Sequence, residues 1–185
     1  TYPMRSTLLL VFACAAAATL NALEPVTPKA AGHPPTITGT NVETYRKVGE
    51  TELKLWIFNP TTKADKPLPC VVFFFGGGWS SGTPTQFEPQ SRHLASRGMI
   101  AIVADYRVKS RQNALPADCV SDAKACVRWV RANAPRLGVD PTRIAVGGGS
   151  AGGHLAAAVA TVPGLDSAKD DKAVSCRPDA LVLYN

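Results

Sequence analysis

The sequence predicts an α/β fold in which a mostly parallel sheet is covered by helices on both faces. Residues 70–75 and 99–104 are continuous apolar runs, which are typical of strands buried on both sides. Residues 115–137 carry apolar side chains at helical spacing. Because strand and helix patterns alternate along the chain, we expect right-handed crossovers between parallel neighbouring strands.

The first half of the chain is predicted to open with a β-hairpin. Apolar and polar side chains alternate around a turn at 48–50, so one face of the hairpin packs against the rest of the domain. The elements expected in order are a hairpin at 41–47 and 51–59, a polar turn at 60–69, a strand at 70–75, a helix at 87–97 and a strand at 99–104. The basic residues Arg107, Lys109 and Arg111 follow on a predicted loop.

The second half of the chain is predicted to contain two helices and two strands. Pro116 favours the first turn of a helix and Gly138 its end, while Asp122 and Lys124 fall off the apolar stripe of that helix. The elements expected in order are a helix at 115–137, a turn at 139–142, a strand at 144–146, a buried helix at 151–162 and a strand at 180–184.

The charge of the chain is dispersed. Its 185 residues carry a formal net charge of +6, and no block of basic residues accounts for it. Aromatic residues are not interleaved with the basic ones, and no nucleic-acid-binding motif is present. The charge therefore indicates a solvated basic surface, and no nucleic-acid partner is expected. An apolar content of 45% is ordinary for one folded domain or part of one.

The N-terminal segment has the pattern of an export signal. Residues 1–3 precede Met4 and are interpreted as an upstream remnant; Arg5 then supplies positive charge, and residues 8–20 are apolar. This stretch is too short to span a membrane. The expected organisation is an upstream remnant plus signal peptide at 1–22, a flexible lead-in at 23–40 and a globular region at 41–185, in a protein that is periplasmic or secreted.

Four cysteines follow the predicted signal, at 70, 119, 126 and 176. An oxidising compartment permits disulfides, but Cys119 and Cys126 lie two helical turns apart, about 10 Å along the axis, which is too far for a bond between them. The chain has no C-x-x-C pair, so no zinc site or other metal site is expected. The four residues are interpreted as buried free thiols.

Residues 148–152 form the pattern G-x-S-x-G between a predicted strand and a predicted helix. A serine at such a sharp turn requires glycines on both sides, because the strand and the helix approach closely, and the first amides of the helix point toward the reacting carbonyl. The same residues also fit the dinucleotide-binding pattern G-x-G-x-x-G. That pattern requires an acidic residue at a strand tip about twenty positions later, and residues 163–172 have no strand pattern. No dinucleotide or other cofactor is expected.

A second glycine-rich segment, Gly76, Gly77 and Gly78, follows the strand at 70–75. Three glycines at a strand end allow backbone amides to approach a ligand. This segment, Asp105 and Ser150 all fall at the carboxyl ends of predicted strands, where ligands bind to parallel sheets. Trp79, directly after the glycines, either borders a substrate pocket or packs beneath the loop.

Residues 75–79, 105–107 and 148–156 together resemble the α/β-hydrolase esterases and lipases, in particular the hormone-sensitive-lipase-like branch and the feruloyl and acetyl-xylan esterases. The resemblance extends from residue 42 to 185. It implies that Ser150 attacks an ester carbonyl to form an acyl-enzyme, and that the amides of Gly77, Gly78 and Ala151 bind the oxyanion. It also implies a small-molecule or polysaccharide ester as substrate, with Trp79 at the substrate.

The sequence departs from the family pattern at two positions. Phe75 stands where the family has a histidine that supports the oxyanion loop, and Gly149 stands where the lipase-like branch has an aspartate. The Phe75 departure is expected to affect the geometry of the oxyanion loop more than the chemistry of the reaction.

The catalytic triad is the larger departure. In this fold the acid and the histidine follow the serine along the chain, but after Ser150 the only histidine is His154, one helical turn away and predicted to be structural. His33 and His93 are not expected at strand ends. The chain is therefore expected to be the front portion of the catalytic domain, truncated after about the sixth strand and inactive alone. The alternatives are a non-catalytic binding protein on the same scaffold and a serine peptidase.

Overall fold

The computed structural model describes residues 32–62 and 64–184. The predicted upstream remnant plus signal peptide at 1–22 and the predicted lead-in up to residue 31 therefore lie outside the described residues. Six strands form one sheet in the order β1-β2-β4-β3-β5-β6. The strands are β1 (Asn41–Val48), β2 (Thr51–Phe58), β3 (Leu68–Phe74), β4 (Ile100–Ala104), β5 (Val139–Gly149) and β6 (Ala180–Tyr184). The helices are α1 (Glu88–Ser96), α2 (Lys109–Gln112), α3 (Pro116–Ala132), α4 (Ala134–Leu137) and α5 (Ala151–Thr161), with a 3-10 turn at Pro84–Phe87.

The sheet is parallel except at the hairpin. Strands β1 and β2 are antiparallel to each other, and β2 is antiparallel to β4, whereas β3, β4, β5 and β6 are parallel. This confirms the predicted mostly parallel sheet. Ala104, Phe74 and Gly148 are level in the register of β4, β3 and β5. The residues that follow these strands therefore meet at one edge of the sheet.

Helices cover both faces of the sheet, as predicted. On one face the buried side chains of α3 and α5, among them Val127 and Leu155, pack against the sheet in one apolar cluster. On the other face α1 and the 3-10 turn form a second cluster, in which Phe87 stacks on Phe73 with ring centroids 4.9 Å apart. Burial on both faces explains why β3 and β4 are continuous apolar runs.

Several predicted element boundaries are wrong. Strand β5 begins at Val139, inside the predicted turn, because Leu68 pairs with Val139 and Cys70 with Ile144, so the intervening residues of β5 bulge out of the ladder. The predicted turn at 60–69 is also too long, because β3 begins at Leu68. The predicted helix at 115–137 is two helices, since Pro135 cannot continue the hydrogen bonding of α3. Helix α2 occupies the predicted loop after β4.

Two charged residues of α3 that were predicted to lie off its apolar stripe are buried. Asp122 is 0% exposed and Lys124 is 2% exposed. The Asp122 carboxylate accepts a hydrogen bond from Arg107 Nε at 2.8 Å and lies 3.0 Å from Arg46 Nη1. Lys124 Nζ donates to the carbonyl oxygen of Val162 at 2.7 Å, just after α5. Because each charge has close partners, these residues can be buried where the helical pattern alone predicts solvent.

The four cysteines of the described residues are free thiols; the prediction that they are buried is wrong for Cys176, which is partly exposed. Burial raises the pKa of the Cys70 and Cys126 thiols and raises that of Cys119 to about 11. We expect iodoacetamide at about pH 8 to alkylate Cys176 quickly in the native protein and the other three slowly, because the thiolate is the reactive form. Peptide mass spectrometry in urea, where all four should react, is the control. Equal native rates for Cys119 and Cys176 would contradict this expectation.

Candidate active site

Ser150 forms the link between β5 and α5. Its backbone has φ 50° and ψ −117°, a conformation that residues with side chains rarely adopt and that costs about 1–3 kcal/mol. The Ser150 amide donates to the carbonyl oxygen of Tyr184 in β6 at 3.0 Å, and its carbonyl accepts from the His154 amide at 2.9 Å. The bend is therefore held by the sheet on one side and the helix on the other. The Ser150 side chain is exposed.

The glycines on either side of this bend have no room for a side chain. A Cβ atom on Gly148 would lie 2.5 Å from the backbone carbon and oxygen of Gly152 and from the carbonyl oxygen of Phe74. A Cβ atom on Gly152 would meet the backbone of Phe74 and Phe75. Strand β5, helix α5 and the end of β3 are thus in backbone contact. This contact accounts for the two glycines of the G-x-S-x-G pattern.

The glycine-rich segment after β3 lies beside Ser150. A Cβ atom on Gly76 would be 3.4 Å from the Cβ atom of Ser150. The amide of Gly76 donates to Gln86 Oε1 at 2.5 Å. Gly77 and Gly78 have φ values of 130° and 59°, which favour glycine. The Gly77 carbonyl oxygen accepts hydrogen bonds from the amides of Ser80 and Ser81, which close the turn. The segment is a tight turn that begins beside Ser150, the residue before α5.

Three backbone amides, two in the glycine turn and one at the start of α5, have no acceptor among the described residues. Within the part of the chain that the structure describes, no recorded hydrogen bond is donated by the amides of Gly77, Gly78 or Ala151. Ala151 is the first residue of α5, so its amide has no intrahelical partner. Unpaired amides at the N-terminus of a helix and in a glycine turn can bind a negatively charged oxygen.

Trp79 has a positive φ of 57° and is half-buried. It packs against the apolar core and meets the ring of His154 edge-on, with centroids 5.1 Å apart. His154 is exposed, and within residues 32–62 and 64–184 no hydrogen bond joins its side chain to Ser150. Of the two interpretations of Trp79, packing at the loop has direct contacts; a role at the substrate stays a prediction.

His33 was not expected near a strand end, and this expectation is wrong. Its Nε2 atom lies 2.8 Å from Oδ2 of Asp105, the residue that directly follows β4 and is 1% exposed. Arg111 Nη2 lies 3.2 Å from the other carboxylate oxygen. Strand β3 lies between β4 and β5. The ends of β4 and β5, which are followed by Asp105 and Ser150, are therefore about 10 Å apart across the sheet. His93 is an exposed residue of α1 and is not at a strand end, as predicted.

Phe75, which replaces the family's histidine, is buried in an aromatic stack. Its ring lies 4.2 Å from that of Tyr106, and the planes are inclined by 17°. The Tyr106 hydroxyl donates to the carbonyl oxygen of Phe75 at 2.7 Å, and burial raises the pKa of this hydroxyl. The residue thus fixes the start of the glycine turn by packing. No sequence pattern indicated this partner.

Among residues 32–62 and 64–184, no group of three or more His, Cys, Asp or Glu side chains is placed to hold a metal ion. Within the same residues, no helix has the length and apolar character needed to cross a bilayer.

Comparisons with known proteins find similar chains among esterases. The BD-FAE family model matches residues 55–177. The carboxylesterase NlhH of Mycobacterium tuberculosis is 40% identical over 113 residues, which cover 60% of this chain and 34% of that protein. Esterase 2 of Thermogutta terrifontis, phosphorylated by paraoxon, is 48% identical with a TM-score of 0.81, over 83% of this chain and 60% of that one.

The same Thermogutta terrifontis esterase has also been solved with propionate bound, at 50% identity and a TM-score of 0.80 over 83% of this chain and 57% of that one. The chain thus spans about a third of the length of the curated relative, 34%, and about three fifths of the esterase in its paraoxon complex, 60%. The family match covers well over half of the chain and includes strands β3, β4 and β5, the glycine turn and the bend at Ser150. The chain belongs to the BD-FAE family, within the α/β-hydrolase esterases.

Proposed function

We propose that this chain carries the nucleophile and the oxyanion hole of a carboxylic ester hydrolase. Ser150 is the nucleophile, and the amides of Gly77, Gly78 and Ala151 bind the oxyanion. The observation that supports this best is an exposed serine with a positive φ, placed beside a glycine turn in which the amides of Gly77 and Gly78 have no acceptor among the described residues. Strained residues concentrate at functional sites, and Trp79, with a φ of 57°, is a second one in the same place.

The proposed reaction proceeds in two steps. The Ser150 Oγ atom attacks the ester carbonyl, and the carbonyl oxygen gains a negative charge that the three amides stabilise; each such donor is worth roughly 3–4 kcal/mol in the transition state. Collapse of this intermediate releases the alcohol and leaves an acyl group on Ser150. Water then attacks the acyl group through a second, similar intermediate, which releases the acid and restores the hydroxyl.

A base must take the Ser150 proton and return it to the leaving alcohol, since serine at its free pKa is a poor nucleophile. Among the described residues, His154 makes no recorded hydrogen bond to Ser150, and His33 is bonded to Asp105. We therefore propose that the triad acid and base are supplied by sequence beyond these 185 residues, and that the chain by itself is inactive.

The proposed substrate class rests on the ligands found in a related esterase. Structures of the Thermogutta terrifontis esterase hold propionate and butyrate. By analogy, we propose that esters of short acids are the substrates here, with Trp79 beside the acyl group. Esters on polysaccharides remain within this class. From the N-terminal pattern we also propose that the enzyme is exported, with residues 1–22 as an upstream remnant plus signal peptide.

Turnover of p-nitrophenyl acetate tests the proposal. The 185-residue chain should give no hydrolysis above buffer, whereas the longer protein, meaning this chain continued to the length of its structural relatives, should hydrolyse the ester. Hydrolysis by the 185-residue chain, abolished by Ser150→Ala, would show that the base lies within it. An inactive longer protein that also resists paraoxon would support a non-catalytic binding role instead.

A further inference from the structure

The loop that contains Gly77 and Gly78 is fastened at its far end by Arg111, a residue of α2. Arg111 Nη1 donates to the carbonyl oxygen of Gly82 at 2.8 Å. The guanidinium carbon also lies 5.9 Å from the centre of the Phe75 ring. Gly82 has φ 113°, and a Cβ atom there would lie 2.5 Å from the Phe75 ring. One side chain therefore contacts both ends of the loop.

Arg111 is in turn held by Asp105. The Asp105 carboxylate is 1% exposed, and its two oxygens lie 3.2 Å from Arg111 Nη2 and 2.8 Å from His33 Nε2. The Asp105 amide donates to the carbonyl oxygen of Lys54 at 2.9 Å, which fixes the residue to the hairpin. A buried carboxylate with both oxygens paired at the end of a strand is a rigid support for a guanidinium group.

The rest of α2 contacts the same loop through its backbone. The Lys109 amide donates to the carbonyl oxygen of Trp79 at 2.9 Å, and the Ser110 amide donates to that of Ser80 at 3.0 Å. The middle of the loop is thus held by main-chain hydrogen bonds, which a change of the Arg111 side chain does not remove. Its end at Gly82 depends on the side chain.

Gly82 packs directly against Gly77, whose amide is one of the proposed oxyanion donors. A Cβ atom on Gly77 would lie 3.3 Å from the Gly82 nitrogen, so the two residues pack backbone to backbone. A movement of Gly82 therefore changes the position of Gly77. An oxyanion donor contributes only when it is about 2.7–3.1 Å from the place where the charged oxygen forms.

We propose that Arg111, held by Asp105, is the positioning residue of the oxyanion loop. Arg111 touches no reacting atom; it fixes the Gly82 carbonyl and, through it, the direction of the Gly77 and Gly78 amides. This inference rests on the proposed function, because it assigns Arg111 an effect on the oxyanion that Ser150 chemistry produces.

The test compares Arg111→Met, Arg111→Lys and the control Arg97→Met in the longer protein. Arg97 is an exposed arginine at the end of α1. The readouts are kcat and KM for p-nitrophenyl acetate, and hydrogen exchange of the Ser80 and Ser81 amides, which both donate to the Gly77 carbonyl. The exchange rates report the order of the loop without any need for catalysis.

Arg111→Met should lower kcat about a hundredfold, as expected when one oxyanion donor is lost, with KM changed by less than about threefold. Exchange at Ser80 and Ser81 should rise about tenfold as the loop loosens. Arg111→Lys should fall between wild type and Arg111→Met, since one ammonium group replaces only part of the guanidinium fork. Arg97→Met should match wild type.

Two results would overturn the inference: a kcat for Arg111→Met equal to that of Arg97→Met, or a lowered kcat with unchanged exchange at Ser80 and Ser81. Failure of the proposed function has a different signature, namely full turnover by Ser150→Ala. In that case the exchange rates still show whether Arg111 holds the loop.

Discussion

Ser150→Ala is expected to abolish ester hydrolysis by the longer protein, with kcat lowered on the order of a millionfold. The physical reason is that no other hydroxyl is placed at the bend between β5 and α5, so the acyl-enzyme cannot form. The residual rate should come only from water attacking an ester bound in the oxyanion hole. Steady-state hydrolysis of p-nitrophenyl acetate measures the loss, and mass spectrometry after paraoxon treatment should find the added phosphoryl group on wild type only.

Ser96→Ala is the matched control for this substitution. Ser96 is an exposed serine at the end of α1, and its hydroxyl donates to the His93 carbonyl. It lies just before β4 begins, at the opposite edge of the sheet from Ser150. Ser96→Ala should keep wild-type kcat. Ser150→Ala with kcat within about tenfold of wild type would show that another group is the nucleophile.

Gly148→Ala is expected to destabilise the chain by about 3 kcal/mol or more, which corresponds to a Tm lower by roughly 10 °C. Its Cβ atom would lie 2.5 Å from backbone atoms of Gly152 and Phe74. Those atoms belong to the head of α5 and the end of β3, so they cannot move aside as a flexible side chain does. Thermal unfolding followed by circular dichroism measures the change.

The adjacent glycine supplies the control for this substitution. A Cβ atom on Gly149 would meet the ring of Phe87 at 3.4 Å, an ordinary contact, and the φ of Gly149 is not positive. Gly149→Ala should therefore shift Tm by only a few degrees. If Gly148→Ala and Gly149→Ala have the same Tm, the bend at Ser150 is less tightly packed than the contacts of Gly148 indicate.

The sequence predicts the parts of this fold that depend on local pattern. The strands β3 and β4 and the helix α5 were found from their apolar runs, because burial on both faces leaves a continuous signal. The position of Ser150 at a strand-to-helix bend was found from its flanking glycines, since only glycine tolerates the backbone contacts there. Both signals lie within a few residues of the element that they specify.

The features that sequence reasoning missed depend on contacts between distant residues. His33 reaches Asp105 across 72 positions of the chain, and no pattern near either residue indicates the pair. Asp122 and Lys124 are buried because partners from β1, from the end of β4 and from the end of α5 meet them. The position of Arg111 could not be predicted from the residues beside it in the sequence. It depends on α2, which is held by main-chain hydrogen bonds to Trp79 and Ser80.

A crystal structure of the longer protein after reaction with paraoxon tests the central claim most directly. The account predicts phosphorus bonded to Ser150 Oγ, with one phosphoryl oxygen about 2.7–3.1 Å from the amide nitrogens of Ala151 and Gly77. Phosphorylation of another residue, or a phosphoryl oxygen turned away from those amides toward solvent, would contradict it.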